Sequence, residues 1–287
     1  MAAKKCTIND FYRMAADNEK ITWITAYDYP MANFAQQAGM DMILVGDSLG
    51  MVVYGYSGTV PVTMDECIIH CKAVRRGAPE VFVVGDMPFG SYHTTDAEAV
   101  ANAVRFIKES GMDAIKLEGG ERVQSRIRAI SDAGIVVIGH IGLTPQSSAA
   151  LGGFKAQGRT TESAEAIIRD AIAVEKAGAK LLLVEAIPPE LAKAIKRIVT
   201  IPVLGIGAGA DVDGQVMICG DILGYFEAFT PKFVKKYANL GKIIVDALKE
   251  YVSDVRQAKF PAAEHTYSIL PEELSKFEKM LSKYTDR

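Results

Sequence analysis

The chain has 287 residues, of which 49% are hydrophobic and 23% charged, and its formal net charge at pH 7 is −3. These values indicate one large domain with an ample core, and they exclude the basic surface of a nucleic-acid-binding protein. Nucleic acid is therefore not an expected partner. A membrane is not expected either, because no apolar run is long enough to cross one. The 4 cysteines lack metal or redox spacing, which indicates reduced thiols and a cytoplasmic protein.

Strand-like and helix-like patterns alternate along the chain after a short predicted helix at residues 7–16. In the first half, runs rich in β-branched and apolar residues predict strands at residues 21–26, 42–46, 81–85, 114–117 and 135–139. In the second half, similar runs predict strands at residues 180–186 and 202–207 and a weaker one at 215–220. Long amphipathic helices are expected at residues 231–255 and 271–284.

Eight strands separated by helices predict an α/β protein with a (β/α)8 TIM-type barrel, and they favour it over an open doubly wound sheet. Because no stretch has the composition of a linker, residues 1–287 are expected to form a single domain with extra N- and C-terminal helices. The barrel core is expected at about residues 20–255. A helical tail at about residues 256–287 is expected to pack outside the barrel or between subunits.

Ionisable side chains end six of the strand-like stretches. They are Asp47, Asp86, Lys116 with Glu118, His140, Glu185 and Asp221. Since the C-terminal ends of barrel strands meet at one mouth, we expect these side chains to converge there. Asp47, Asp86 and Glu118 are hard oxygen donors, which select Mg²⁺ or a similar ion. A cation is expected there because like charges at one mouth repel each other unless a cation compensates them. The alternative for any one of them is a solvated loop carboxylate.

Two of the strand-end side chains allow more than one interpretation. Lys116 lies two residues before Glu118, so both side chains point to the same side of an extended strand. The lysine is either a structural ion pair or, as we favour, an electrostatic clamp for an anionic substrate such as a 2-oxo acid. His140 either donates a hydrogen bond to a carboxylate or carbonyl oxygen or is a satisfied, half-buried ring.

Glu185 lies within the most apolar predicted strand, at residues 181–187. Apolar surroundings make a carboxylate a stronger base, so we favour a general base here over a buried structural carboxylate. The glycine-rich residues 206–210 follow the next strand and are similar to turns whose backbone N–H groups approach an anion. Ordinary barrel turns contain the same residues, so this signal is weak.

Several longer strings closely resemble the ketopantoate hydroxymethyltransferase family and follow its order along the chain. They are residues 25–30, 45–51, 85–92, 116–120, 139–146, 205–209 and 213–216. The resemblance extends from about residue 20 to residue 240. It implies a (β/α)8 barrel that assembles into a homodecamer. It also implies transfer of the one-carbon unit of 5,10-methylenetetrahydrofolate to 3-methyl-2-oxobutanoate, giving 2-dehydropantoate for pantothenate and coenzyme A synthesis.

The resemblance also implies roles for individual residues. Asp47, Asp86 and Glu118 would hold Mg²⁺, some of them through water. The residues expected to bind the oxo acid are Asp47, Ser48, Asp86 and Lys116, with His140 as a further candidate. Mg²⁺ would acidify the substrate C–H group and Glu185 would take its proton, so that an enolate attacks the methylene carbon of the folate. The loop at residues 54–58 and the segment 219–221 depart from the usual family pattern, and no motif assigns the folate contacts.

Two rival interpretations are open. A lyase or mutase of the phosphoenolpyruvate/isocitrate lyase type would share the barrel and a Mg²⁺-bound oxo acid. Such enzymes carry a Lys-Lys-Cys-Gly-His loop within the barrel, whereas residues 4–6 precede the first strand and no Gly-His follows them. A barrel that only binds a metabolite or scaffolds an assembly is the non-enzymatic rival, and the intact set of strand-end acids counts against it.

Overall fold

The computed structural model describes residues 5–285 and contains a closed barrel of parallel strands that pair in sequence order, with the eighth strand closing on the first. The strands are β1 (Ile21–Thr25), β2 (Met42–Val45), β3 (Phe82–Asp86), β4 (Ala114–Glu118), β5 (Val137–Gly142), β6 (Leu181–Glu185), β7 (Val203–Ile206) and β8 (Gly214–Met217). The predicted (β/α)8 fold is therefore confirmed.

Helices precede, connect and follow these strands. They are α1 (Ile8–Ala16), α2 (Tyr29–Gln37), α3 (Leu49–Val52), α4 (Met64–Gly77), α5 (Asp96–Ser110), α6 (Gln124–Asp132), α7 (Thr161–Lys176), α8 (Pro189–Ile198), α9 (Cys219–Leu223), α10 (Leu240–Arg256) and α11 (Pro271–Thr285). Short 3-10 turns occur at Glu121–Val123, Pro145–Ser147 and Ala263–His265. A helix that could span a bilayer is absent from residues 5–285, since none there combines the required length and apolar character.

Two apolar clusters hold the barrel together. One fills the interior with strand side chains such as Trp23 and Leu183, and the other lies between the strands and the surrounding helices. Phe11 and Met14 of α1 belong to the interior cluster, and the Phe11 ring packs edge-on against Phe82, with 5.1 Å between the ring centroids. Because Phe82 is the first residue of β3, α1 closes the N-terminal end of the barrel. The C-terminal strand ends are left for the site.

The last barrel strand is shorter than expected. We predicted a strand at residues 215–220, but β8 ends at Met217 and α9 begins at Cys219. The Cys219 N–H donates to Thr25 Oγ1 at 3.0 Å instead of continuing the strand ladder. Asp221 therefore lies on α9, and the prediction that it ends a strand is wrong.

The predicted helix at residues 231–255 is wrong in its first part, since α10 begins only at Leu240. The Tyr237 and Ala238 N–H groups both donate to the carbonyl oxygen of Ile222, at 2.7 and 3.3 Å. A tertiary contact with the end of α9 therefore takes the donors that a helix would use at these positions. Residues 231–239 therefore have the apolar spacing of an amphipathic helix but do not form one.

The structure divides into two compact units, of which the first ends at Ala238 and the second begins at Asn239. All eight strands and helices α1–α9 belong to the first unit. The second contains α10 and α11, and neither helix has a buried residue. This division falls earlier than the boundary expected near residue 255, and the assignment of the whole chain to one domain stays a prediction.

Candidate active site

The C-terminal ends of β2 to β6 bring the predicted site residues together around one cavity of about 740 Å³. The lining includes Asp47, Ser48, Asp86, Lys116, Glu118, His140 and Glu185. We call this set without Ser48 the strand-end bowl. The sequence prediction that these side chains converge is met by their positions, whereas their chemical roles stay predictions.

Lys116 lies at the centre of the strand-end bowl. Its Nζ is 2.8 Å from Asp86 Oδ1 and 3.5 Å from Glu118 Oε1, and these side chains are no more than 3% exposed. The strand register explains this geometry, because Asp86 pairs with Lys116 across β3 and β4, and Glu118 pairs with His140 across β4 and β5. The same-side prediction for Lys116 and Glu118 therefore agrees with the structure.

The carboxylates of the strand-end bowl carry more negative charge than Lys116 alone offsets. Burial, and then the neighbouring Asp86 and Glu118, raise the pKa of Asp47 well above its usual range. Burial also raises the pKa of Asp86, although Lys116 opposes it. Burial acts in the same direction on Glu118, but Lys116 and His140 outweigh it and lower the pKa of Glu118. The bowl therefore favours a further cation or a bound proton.

His140 links the centre of the bowl to Glu185. The ring is 2% exposed, with Nδ1 3.5 Å from Glu118 Oε1 and Nε2 3.0 Å from Glu185 Oε2. Burial and Lys116 lower the pKa of His140, but Glu118 and Glu185 outweigh them and raise it to about 9. Both ring nitrogens therefore lie near protein carboxylates, and Nδ1 also lies 3.3 Å from Lys116 Nζ. The ring is buried rather than half-buried, and direct contact with a substrate stays a prediction.

Glu185 is the most accessible carboxylate of those that contact His140. Its side chain is 14% exposed, whereas that of Glu118 is 1% exposed. The next residue, Ala186, has a left-handed φ of 49°, which a residue with a Cβ adopts only where its surroundings hold it. A Cβ on Gly142, with φ of 90°, would meet the Glu185 carbonyl oxygen at 2.4 Å. This backbone fixes Glu185 on the cavity wall.

Gln146 and Tyr92 connect the acids of the bowl, and no role was predicted for either from the sequence. Gln146 Nε2 donates to Asp47 Oδ2 at 2.8 Å, and the Gln146 N–H donates to Glu118 Oε2 at 3.0 Å. Tyr92 Oη donates to Gln146 Oε1 at 2.6 Å and accepts from the Glu118 N–H at 3.1 Å. Both residues lie inside strings that carried the family resemblance, and that was the only signal for them.

Ser48 takes its place in the cavity wall through a hydrogen bond to Tyr27, with 2.8 Å between the hydroxyl oxygens. Tyr27 is 3% exposed and packs in the core, so it offers a fixed partner. The Ser48 hydroxyl therefore has a defined position next to Asp47. A substrate oxygen could accept or donate a second hydrogen bond there.

The acidic side chains of the bowl are candidate ligands for a metal ion. Within residues 5–285, no three His, Cys, Asp or Glu side chains are arranged as a preformed metal site. The buried oxygens Asp86 Oδ1 and Glu118 Oε1 nevertheless have no aligned hydrogen-bond donor. Such oxygens fit a hard cation that takes few protein ligands and keeps water and substrate oxygens around it. Asp47, Asp86 and Glu118 are the residues that could hold it.

Loops complete the cavity wall, and their side chains differ in type from those of the strand-end bowl. We call the following residues the loop lining: Phe154, Lys155, Arg159, Asp221, Phe226, Phe229, Lys232 and Phe233. They come from the connection between β5 and α7, from α9, and from the irregular segment after α9. Phe154 and Phe229 are 50% and 60% exposed. This part of the wall thus combines aromatic rings, basic side chains and a single carboxylate.

The fold and the cavity together define a (β/α)8 protein with a buried charged bowl at the C-terminal strand ends and room for a small-molecule ligand. A model of the ketopantoate hydroxymethyltransferase family matches residues 5–263. The chain belongs to the ketopantoate hydroxymethyltransferase family. The resemblance drawn from the sequence strings is thereby confirmed.

Curated relatives agree with this family. A protein of Alkaliphilus metalliredigens (strain QYMF) named 3-methyl-2-oxobutanoate hydroxymethyltransferase is 60% identical over 282 residues, which cover 98% of this chain and 99% of the relative. A protein of Geobacillus kaustophilus (strain HTA426) with the same name is 53% identical over 264 residues, covering 92% of this chain and 95% of the relative.

Solved structures of lower sequence identity share the fold. A phosphonopyruvate hydrolase in complex with oxalate and Mg²⁺ superposes with a TM-score of 0.58 at 16% identity, covering 98% of this chain and 99% of the other. A 2,3-dimethylmalate lyase of the PEP mutase/isocitrate lyase superfamily has a TM-score of 0.57 at 17% identity, covering 97% and 99%. At these identities the likeness shows the barrel architecture alone.

Proposed function

We propose that the protein transfers the one-carbon unit of 5,10-methylenetetrahydrofolate to 3-methyl-2-oxobutanoate, forming 2-dehydropantoate through an enolate that Mg²⁺ stabilises. Water supplies the oxygen of the new hydroxyl group, C3 of the oxo acid loses its proton, and tetrahydrofolate leaves. Family membership and the names of the relatives support the reaction. The observation that carries it is the convergence of Lys116, three acids and Glu185 on one cavity.

The strand-end bowl supplies binding groups for an anionic oxo acid. Lys116 is buried and charged: burial lowers its pKa, but Asp86, Glu118 and Asp47 outweigh burial and raise it. A buried ammonium attracts a substrate carboxylate more strongly than an exposed one, because water does not screen it. Ser48 adds a hydroxyl whose position Tyr27 fixes. His140 adds a ring whose Nε2 lies 3.0 Å from Glu185 Oε2.

Asp47, Asp86 and Glu118 would hold Mg²⁺ in this proposal. The unaligned buried oxygens of Asp86 and Glu118, and the excess of negative charge of the three acids, support the assignment. When bound there, the ion supplies Lewis-acid polarisation of the substrate oxo group, which acidifies the neighbouring C–H group. Gln146 holds Asp47 and Glu118 in fixed positions through its side-chain amide and its backbone N–H.

Glu185 is the proposed general base that accepts the C3 proton. It is the more accessible of the two carboxylates near His140, and its Oε2 lies 3.0 Å from His140 Nε2. A positioned base contributes a factor of about 10²–10⁴ in rate. Because the proton leaves before the carbon–carbon bond forms, proton exchange at C3 does not require the folate.

A cytoplasmic location and a homodecameric assembly are further parts of the proposal. All 4 cysteines carry free thiols, as expected in a reducing compartment. Helix α10 exposes Ile243, Ile244 and Leu248 by 50–60%, and apolar surface of this kind favours self-association. The size of the assembly is an expectation from the family.

Incubation of the purified protein with 3-methyl-2-oxobutanoate, 5,10-methylenetetrahydrofolate and Mg²⁺ tests the proposal. We expect 2-dehydropantoate, detected by mass spectrometry, and none when either organic substrate is left out or a chelator is added. Cleavage of 2,3-dimethylmalate would support the lyase rival. Binding of the oxo acid without turnover or proton exchange would support the non-enzymatic rival.

A further inference from the structure

The mechanism above makes no use of Asp221, a carboxylate in the loop lining. The residue is 5% exposed and contributes to the cavity wall. In residues 5–285, no side chain or backbone group forms a hydrogen bond or ion pair with this carboxylate. Burial raises the pKa of Asp221 to about 6, and Lys236 offsets this only in part. A buried charge without a partner destabilises the fold, so a ligand is its expected partner.

The position of Asp221 is well supported by its neighbours. The N–H of Cys219 donates to Thr25 Oγ1 at 3.0 Å, which ties the start of α9 to β1. The Cys219 Sγ lies 2.9 Å from Tyr225 Oη, and Gly224 ends the helix in a left-handed conformation with φ of 68°. Asp221 thus faces the cavity from a short helix held at both ends.

The groups around Asp221 in the loop lining define the chemistry of a ligand. Phe226, Phe229 and Phe233 offer faces for stacking on a flat ring. Arg159 and Lys232 offer positive charge for an anionic tail. An unpaired carboxylate selects a group with N–H donors, and a bidentate carboxylate contact requires two donors side by side on one edge.

We infer that Asp221 binds the 2-amino and ring N–H edge of a fused aminopyrimidine, the pterin ring of the one-carbon donor, through two parallel hydrogen bonds. The phenylalanines of the loop lining stack on this ring, and Arg159 and Lys232 pair with carboxylates of its tail. The inference rests on the proposed function, because that function supplies the folate. It assigns the folate to the loop lining and leaves the oxo acid in the strand-end bowl.

Direct binding of tetrahydrofolate, measured by calorimetry, tests the inference without depending on turnover. We expect Asp221→Asn to weaken the Kd by about 10–100-fold, since a hydrogen bond to a charged group contributes about 1.5–3 kcal/mol. Glu227→Gln is the matched control, because Glu227 lies shortly after α9, is exposed and does not line the cavity. This control should bind as the wild type does.

A second arm needs no substitution and so is independent of folding. The 2-desamino analogue of tetrahydrofolate lacks one of the two donors, and it should bind the wild type about 10–100-fold more weakly than tetrahydrofolate. In Asp221→Leu, whose side chain has no acceptor, the two ligands should differ by less than about threefold, because the partner of the amino group is gone. Equal affinity of the wild type for both ligands, or no binding of tetrahydrofolate, would overturn the inference.

Failure of the proposed function has a different signature. Deuterium exchange at C3 of 3-methyl-2-oxobutanoate proceeds without folate, so in the wild type it reports on the proposed reaction independently of the pterin site. Absence of exchange in the wild type, with discrimination between the two folates intact, would contradict the proposed reaction and leave Asp221 as a pterin ligand. If the wild type catalyses the exchange but binds tetrahydrofolate and its 2-desamino analogue equally well, the role of Asp221 is contradicted and the proposed reaction is not.

Discussion

The strand-end bowl and the loop lining form one cavity wall, but they differ in how their charged groups are partnered. In the bowl, Lys116 contacts Asp86 and Glu118, and Gln146 holds Asp47. In the loop lining, Asp221 has no such partner within the described residues, and phenylalanine rings are partly exposed. The bowl is therefore organised before a substrate arrives, whereas we propose that a ligand completes the loop lining. In that proposal the bowl carries the chemistry and the loop lining the recognition of the second substrate.

The largest effect is expected from Asp86→Asn in the bowl. The amide keeps the shape of the side chain but removes the charge that faces Lys116 at 2.8 Å. Loss of metal polarisation corresponds to several kcal/mol, so turnover should fall by about 10³ and added Mg²⁺ should not restore it. The control is Asp211→Asn, on the exposed Asp211 that pairs with Lys193. Turnover and a Mg²⁺ requirement like those of the wild type in Asp86→Asn would remove this residue from the metal site.

Glu185→Gln should have the next largest effect. The variant keeps the contact with His140 but is not a base, so C3 proton exchange should slow by about 10²–10⁴ while oxo-acid binding is unchanged. Exchange is followed by NMR in D2O, and binding by calorimetry. Glu190→Gln, at an exposed position of α8, is the control. Wild-type exchange in Glu185→Gln would rule out Glu185 as the base.

Gln146→Leu tests whether the bowl is organised in advance. The change removes the donor to Asp47 Oδ2 and the nearer acceptor of the buried Tyr92 hydroxyl, whose remaining acceptor is the Glu118 carbonyl oxygen at 3.3 Å. Loss of an orienting partner typically reduces metal affinity or activity by about 10–100-fold. We expect the Mg²⁺ concentration for half-maximal turnover to rise accordingly, and Tyr92→Phe to have a smaller effect of the same kind. An unchanged Mg²⁺ requirement would mean that the acids need no such support.

The smallest effect is a stability change at Asp221. Its pKa is about 6 in the fold against an ordinary 3.8, so the folded protein binds this proton more tightly than the unfolded chain. The wild type therefore loses stability as the pH rises from about 4 through about 6. We expect Asp221→Asn to raise the Tm by about 2–4 °C at pH 8 and to leave it unchanged at pH 4. If Asp221→Asn and the wild type have equal Tm values at pH 4 and also at pH 8, burial of the Asp221 carboxylate does not destabilise the fold.

The sequence was sufficient to predict the barrel and the bowl but not the groups that join them. Strand ends in a parallel barrel share one mouth, so an acid after each apolar run could be placed without knowing any contact. Gln146 and Tyr92 act through hydrogen bonds between segments 26 to 99 residues apart, and uncharged side chains give no such signal. Their roles depend on distances that only the folded chain sets.

The wrong predictions concern α9 and the irregular segment that follows it. Residues 231–239 have apolar spacing that suits a helix, yet Tyr237 and Ala238 bond to Ile222 and Phe233 lines the cavity. Asp221 was expected at a strand end because the pattern before it is apolar, but α9 starts at Cys219. Tertiary contacts override local propensity where a chain folds around a cavity.

Deuterium exchange at C3 of 3-methyl-2-oxobutanoate, catalysed by the wild type without folate, is the sharpest test of a Mg²⁺-assisted enolate with Glu185 as its base. We expect exchange that requires Mg²⁺, stops when a chelator is added, and is nearly absent in Glu185→Gln. Exchange that persists with the chelator, or no exchange in the presence of Mg²⁺, would contradict it.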